Sequence, residues 1–443
     1  WNYYFRSQKD RLFQQQLQRA QISTGPSADT PAQSPTINLP IVPATRYGSI
    51  DWVSHNLLPL TLDISDAYPT RVNLLMGMID FRYVYGGYIG MFNLAMRLKR
   101  AGYQTRIVLI EKSEYNLVEW RKQISKYPGL ENLFDEVAVV YRYDRDLPLD
   151  VSPRDGFIAT SGWAAHVATQ AIQQLKRERF TFLVQDYEPM FLPTSSLYAL
   201  FMQAYTFPQY NLFSTELLRE YFRNNHIGVY LNSEAEGDAL SVSFQNAINK
   251  FPLSLDTMRH DKKRLLFYAR PEPHAARNMF ELGMMSLVEL IKDKDFDTSQ
   301  WTFHGIGSID LKLRLELAQN IELQLTPRTS LQEYIALLPT FDVGLSLMLT
   351  PHPSLVPLEM ASAGLWTVTN SFSNKTAEKL QAVSSNLIVS PPTIEGIKGA
   401  LMHGIRRVNQ YDQRLAGAHV NWANDWNSAF NDQVMVKLES FLE

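Results

Sequence analysis

The chain has 443 residues, 45% of them hydrophobic and 12% aromatic; this is enough for two cores, because a single core stops growing at about 250 residues. A formal charge of −3 with no long basic run gives a nucleic acid nothing to bind, and the absence of cysteine excludes disulfides and thiolate metal sites. No apolar run reaches ~18 residues and no signal-peptide pattern opens the chain, so the expectation is a cytoplasmic protein, at most peripheral on the inner face of the cytoplasmic membrane.

The chain begins at Trp1 without methionine, which reads as a piece of a larger multidomain polypeptide. Residues 1–22 are rich in Gln and Arg at loose helical spacing and predict an amphipathic helix. Four prolines among small polar residues follow between Ser23 and Pro40 and predict a linker, so 1–45 forms an extension.

From Arg71 the sequence alternates apolar runs with helical patterns. "RVNLLMGMI", "TRIVLIE", "DEVAVVY", "DGFIAT", "RFTFLVQD", "YNLFST" and "IGVYLN" predict strands, and "GMFNLAMRLKRAG" and "WAAHVATQAIQQLKRE" predict helices. A second series runs through "RLLFYAR", "WTFHGIG", "IELQLT", "DVGLSLM", "WTVTN" and "NLIVSP", after a polar, proline-containing break between Ala247 and Asp261. The fold class is therefore α/β: two doubly wound parallel-sheet domains, 46–250 and 251–420, face each other across a cleft, and a C-terminal helix over 421–443 packs back on them.

Ligands of open α/β sheets bind at the carboxyl ends of the strands, so candidate residues are sought there. In "LMLTPHPSLVPLEMASAGLWTVTN", Ser354 is a candidate N-cap before Pro357, and Leu355 and Val356 then offer free N–H groups to a diphosphate. Glu359 lies one turn beyond Leu355 on the same face, within reach of a ribose. His352 and Pro353 precede the tip. In "YARPEPHAARNMFELG", Arg270 ends a strand and Arg277 and Asn278 open a helix; arginine there opposes the macrodipole unless an anion is bound, which suits a phosphate clamp. Gly305 and Gly307 of "HGIGS" allow close backbone approach to a ligand, and Thr329 joins them on the donor side. In the first domain Gly86 and Gly87 form a broad loop that does not match a dinucleotide fingerprint. "SGWAAHV" and "QDYEPMF" place Trp163, His166, Asp186, Tyr187 and Glu188 at strand ends, either as sugar-binding groups or as caps and packing residues. The histidines are scattered, so no metal site and no cofactor are expected.

Together these segments resemble the GT-B fold of nucleotide-sugar glycosyltransferases, in particular retaining family 4. "PHPS…PLEMA…G…TN", "FLVQDYEP" and "FYARP…RNMFELG" look like the WsaF-like bacterial rhamnosyltransferases, over roughly Val72 to the C-terminus. Family 4 enzymes usually carry two glutamates separated by seven residues; the second matches Glu359, and the first is replaced by Pro351. His352 and the backbone around Ser354 are then the substitutes for contact with the donor sugar. The resemblance implies transfer of a deoxyhexose, L-rhamnose from dTDP-L-rhamnose, with retention, onto a hydroxyl of a bacterial surface oligosaccharide or polysaccharide such as O-antigen. Arg270, Arg277 and Asp186 are the expected catalytic residues. A GT-B nucleotide-sugar epimerase and a non-catalytic polysaccharide-binding or assembly module remain alternatives.

Overall fold

The computed structural model describes residues 50–81, 86–308, 315–327 and 329–443, so the helix and linker expected over 1–45 lie outside the described residues. Seven parallel strands build the first sheet: β1 Arg71–Met76, β2 Gln104–Leu109, β3 Ala138–Tyr141, β4 Gly156–Ala159, β5 Phe180–Val184, β6 Gln209–Phe213 and β7 Ser241–Ser243. They lie in the order β3-β2-β1-β4-β5-β6-β7. Neighbouring side chains on these strands point to opposite faces, so the apolar runs feed two cores at once. Leu74, Ile107, Leu183 and Leu212 pack on one face with helix α1 (Gly86–Arg100), and Leu75, Val108, Phe182 and Phe213 pack on the other with helix α2 (Gly162–Ile172). This double burial explains why the runs show no polar alternation.

The second sheet holds β8 Lys263–Tyr268, β9 Trp301–Ile306, β10 Leu315–Ala318, β11 Ile321–Leu325, β12 Val343–Leu345, β13 Trp366–Asn370 and β14 Leu387–Ser390. Its order is β10-β11-β9-β8-β12-β13-β14, and only the β10–β11 pair is antiparallel. The chain reverses its direction of travel across the sheet between β1 and β4 in the first domain and between β8 and β12 in the second. Such switch points leave a crevice at the strands' carboxyl ends.

Two expected elements differ. "IGVYLN" is no strand: Gly228–Tyr230 forms a single tight helical turn, opened by Gly228 at φ 62, with Tyr230 fully buried against Gly237. The edge strand is instead the short β7. The final helix is broken into Trp426–Ala429 and α5 (Asp432–Leu442), because Asn431 caps a new helix by accepting from the Val434 N–H. Helix α5 rests on the first domain. Phe441 stacks on Tyr210 with ring centroids 4.4 Å apart, and Lys437 donates to the Ala239 carbonyl at 2.6 Å.

Residues 244–250 of the crossover between the sheets pair with the returning C-terminal segment. Ile248 N–H donates to Ala423 O at 2.9 Å and Trp422 Nε1 to Asn246 O at 2.9 Å. A second tie joins the domains, where Asn374 Nδ2 donates to Leu217 O at 2.7 Å and Lys379 pairs with Glu220.

Candidate functional site

The loops at the two switch points line one cleft of about 1230 Å³. Gly86 and Gly87 after β1, Thr160 and Ser161 after β4, and Asp186 and Glu188 after β5 come from the first domain. Arg277 after β8, Gly307 after β9, Thr329 after β11, and His352, Ser354, Leu355 and Glu359 after β12 come from the second.

The segment after β12 departs from the expected cap. Helix α4 (Val356–Ser362) follows Leu355, and Ser354 does not cap it. Ser354 stands instead at φ 65, and its N–H donates to His352 Nδ1 at 3.0 Å. The imidazole side chain has thus taken the hydrogen bond that closes the turn. With Nδ1 accepting, the ring proton is on Nε2, which is buried without a protein partner beside the cleft. Burial, reinforced by Lys375 and Arg277, pushes the His352 pKa down to about 3, so the ring is a neutral hydrogen-bond donor. A seven-residue helix has a weak dipole, which makes α4 a smaller source of positive potential than the guanidinium nearby.

That guanidinium belongs to Arg277. It does not open a helix: Arg277 and Asn278 end a tight turn over Pro273–Asn278, and helix α3 (Phe280–Ile291) starts only after Met279 at φ 49. Arg277 reaches across the cleft and lies 4.4 Å from the centroid of Phe191, while donating to His274 O at 3.2 Å. Asn278 holds the donor loop by donating to Leu347 O at 3.2 Å. Arg270 is differently placed from the clamp expected of it. Its guanidinium meets Glu272 at 2.9 Å, the Tyr268 hydroxyl at 3.2 Å and His274 Nε2 at 3.0 Å, and it does not line the cleft. It sits behind Gly307, where φ is 97 and a Cβ would come within 2.9 Å of Arg270 Cδ, so only glycine fits there.

Glu359 lines the cleft, but protein groups already occupy its carboxylate. Oε1 accepts from Asn249 Nδ2 at 2.6 Å and from the Asn249 N–H at 3.2 Å; Oε2 accepts from the Tyr334 hydroxyl at 2.9 Å. Burial raises its pKa against these three donors. The same glutamate thereby joins the crossover to the second domain.

On the opposite wall Asp186 accepts the Tyr187 N–H at 2.9 Å and a bond from Thr350, and burial raises its pKa to about 6 despite Arg277 and Lys375. Glu188 accepts the Gly162 N–H at 3.2 Å, and burial raises it to about 8. Lys375, in a tight turn after β13, is fully buried; burial lowers its pKa to about 7, with Asp186 opposing. No sequence signal marked it, because "SFSNK" reads as an exposed polar turn.

Besides Arg270, five further expected residues lie away from the cleft. Trp163 packs edge-on against Trp52 and Phe201, His166 bonds Leu200 O at 2.9 Å, and the Tyr187 hydroxyl meets Met202 Sδ, all on the side of α2 and β5 that faces the neighbouring helix Ser196–Ala204. Gly305 is inside β9, where a Cβ would come within 2.8 Å of Leu325, and Pro353 is buried beneath the turn. Among the described residues no cluster of three or more His, Asp or Glu could hold a metal ion, and no helix is long and apolar enough to cross a membrane.

Comparison with known proteins places this geometry. The WsaF N-terminal domain family matches residues 71–216, and the WsaF C-terminal domain family matches residues 263–402. The O-antigen biosynthesis protein RfbC of Myxococcus xanthus is 25% identical over 345 residues, covering 73% of this chain. The match takes in only 24% of that longer protein. Among solved structures, HepE of Anabaena in complex with UDP and glucose superposes with a TM-score of 0.55 at 12% identity, over 84% of this chain and 98% of that one. Sucrose-phosphate synthase from Thermosynechococcus elongatus gives 0.52 at 10% identity, over 84% and 97%. WaaG, a glycosyltransferase of lipopolysaccharide biosynthesis, gives 0.51 at 12%, over 83% and 98%. The two sheets facing one cleft, with both WsaF domains matched in order along the chain, make this protein a member of the WsaF family of GT-B glycosyltransferases.

Proposed function

We propose that the protein transfers a deoxyhexose, L-rhamnose from dTDP-L-rhamnose, with retention of anomeric configuration, onto a hydroxyl of a bacterial surface polysaccharide of the O-antigen kind. The observation that carries this reading is the convergence of Arg277, the neutral His352 Nε2–H and the Ser354–Glu359 segment on one cleft. Arg277 faces the negative charge that grows on the departing diphosphate, and His352 donates to an oxygen of the donor. These groups are fixed before reaction, so they stabilise the transition state without reorganising. Glu359 holds the ribose when a ribose hydroxyl replaces or shares the bond now made by Asn249. The acceptor hydroxyl attacks the donor's front face. Its proton passes to the leaving β-phosphate, the glycosidic bond to that phosphate breaks, and the new bond forms on the same face. Retention needs no carboxylate nucleophile on this route, which agrees with Pro351 standing where family 4 usually has a glutamate. Two similar proteins support this reading: HepE is solved with UDP and glucose, and RfbC is an O-antigen biosynthesis protein. We place the reaction in the cytoplasm, peripheral to the membrane.

An epimerase reading draws on Asp186 and Glu188, whose raised pKa values suit proton transfer. Incubation with dTDP-L-rhamnose and a rhamnose-terminated acceptor, followed by proton NMR, separates the two. A new glycosidic linkage in the donor's anomeric form supports transfer, whereas an isomerised nucleotide sugar with no linkage supports epimerisation.

A further inference from the structure

The cleft is larger than its donor needs. At about 1230 Å³ it exceeds the ~300–1,000 Å³ usual for a small-ligand pocket, and it is lined from the first residues of α1 to its last. Helix α1 has 15 residues, a length of ~22 Å at 1.5 Å per residue. Gly86 and Gly87 stand beside the donor loop at one end, and Arg100 stands at the other. Tyr127 is two residues from Gly129, which accepts from Arg100 at the far end, and Asn424, Trp426 and Asn427 also line the cleft.

Two observations point to a ligand with many hydroxyls. Asn246 Oδ1 and Gln185 Oε1 are buried, line the cleft and have no protein partner, and Asn246 is only 4% exposed. They lie against the glycine face of α1: a Cβ at Gly90 would come within 2.8 Å of Asn246 Oδ1, and one at Gly87 within 3.2 Å of Gln185 Oε1. An unpaired buried amide oxygen is costly, and turning either side chain from α1 towards the cleft lets a ligand hydroxyl relieve that cost. Further along, Tyr127 and Trp426 are half-buried, each packed against the first domain's core, and Trp426 stacks on Phe430 with centroids 5.9 Å apart. Held aromatic rings beside exposed amides make a surface for the C–H faces and hydroxyl edges of sugars. Arg100 closes the end by donating to Gly129 O at 3.2 Å.

We propose that the half of the cleft along α1 is a distal acceptor subsite, which takes an oligosaccharide of several sugars and holds it at Tyr127 and Trp426, far from the reacting hydroxyl. This rests on the glycosyl-transfer reading and goes beyond it: the enzyme measures the length of its acceptor, extending a chain in preference to a single sugar.

The test is calorimetric titration of the protein with rhamnose oligosaccharides of one, two, four and six residues, with and without saturating dTDP. Affinity rises with length and then levels off. Trp426→Ala and Tyr127→Ala each weaken the longest probe roughly 2- to 10-fold, the worth of one aromatic contact, and flatten the length series. Trp426→Phe and Tyr127→Phe, which keep a ring in the core, retain the series. Equal affinity at all lengths, no binding of any probe, or a length series unaltered by both alanine variants overturns the proposal. The dTDP titration reads the donor site separately: nucleotide binding without length dependence rejects the distal subsite alone, and absent nucleotide binding rejects the donor reading while the series without nucleotide still decides the subsite.

Discussion

Lys375 Nζ donates to the Met348 carbonyl at 2.7 Å, and the same ammonium reaches the His352 carbonyl at 3.4 Å. One buried lysine thus ties both ends of the loop that presents His352 and Ser354 to the cleft. Removing it leaves the Met348 oxygen with only the Asn370 Nδ2 donor at 3.1 Å and loses a charge-assisted bond of about 1.5–3 kcal/mol. Lys375→Met is expected to raise the donor KM more than it lowers kcat, because the loop is loosened while the reacting groups remain. Steady-state kinetics with varied donor check this. An unchanged donor KM would mean that the loop keeps its place without the lysine.

Glu359→Gln is expected to weaken nucleoside diphosphate binding by roughly 10-fold or more, the loss of a charge-assisted bond of about 1.5–3 kcal/mol. A small fall in melting temperature should accompany it, since an amide has one acceptor oxygen where the carboxylate has two and cannot accept from both Asn249 and Tyr334. Calorimetry with dTDP and a melting curve measure both effects. Full affinity in a destabilised variant would reduce Glu359 to a strut between the crossover and α4.

The two sheets were legible because β1, β2, β5 and β8 carry runs of apolar residues, the mark of strands buried on both faces. The cleft followed from that topology. Side-chain direction did not: Trp163 and His166 sit in the same helix that begins at the cleft-lining Ser161, yet both turn towards the helix Ser196–Ala204. Sequence periodicity shows that a helix has a buried face without showing against which layer. Partners such as Asn249 and Glu359, 110 residues apart, are set by the way the domains meet. A buried lysine in a polar turn carries the composition of an exposed one, and its burial comes only from the loop folded over it.

The arginine pair divides in role. Arg277 faces the cleft and crosses to Phe191, whereas Arg270 is bound to Glu272 behind Gly307. Arg277→Ala is expected to lower kcat by about 10²-fold, the scale seen when one group stabilising developing charge is removed. Arg270→Ala should lower the melting temperature, with a smaller loss of kcat. Parallel kinetics and melting curves of both variants would expose the opposite pattern, which would return the clamp to Arg270.

Arg277 and the His352 Nε2–H can meet the diphosphate directly, in the place a divalent cation takes in other transferases. Turnover is therefore expected to persist in excess EDTA. Activity lost to the chelator and restored by Mg²⁺ would show that a metal holds the phosphates.

Glu188 gives a pH signature with a definite sign. Burial raises its pKa from 4.5 to about 8 in the folded protein, although the Gly162 N–H at the start of α2 favours the ionised form. Below pH 4.5 the group is protonated in both states and adds no penalty. Between pH 4.5 and about 8 the unfolded chain releases the proton while the folded one keeps it, so stability is lost as pH rises through this window, and the full penalty is present above it. Glu188→Gln keeps an oxygen for Gly162 and cannot ionise. The variant is expected to gain melting temperature relative to the parent on going from pH 5 to pH 8.5, with the difference growing steadily across the interval. Thermal denaturation of the two proteins in matched buffers measures it, and a difference that stays flat with pH would show that water or a cation reaches Glu188 and keeps it ionised.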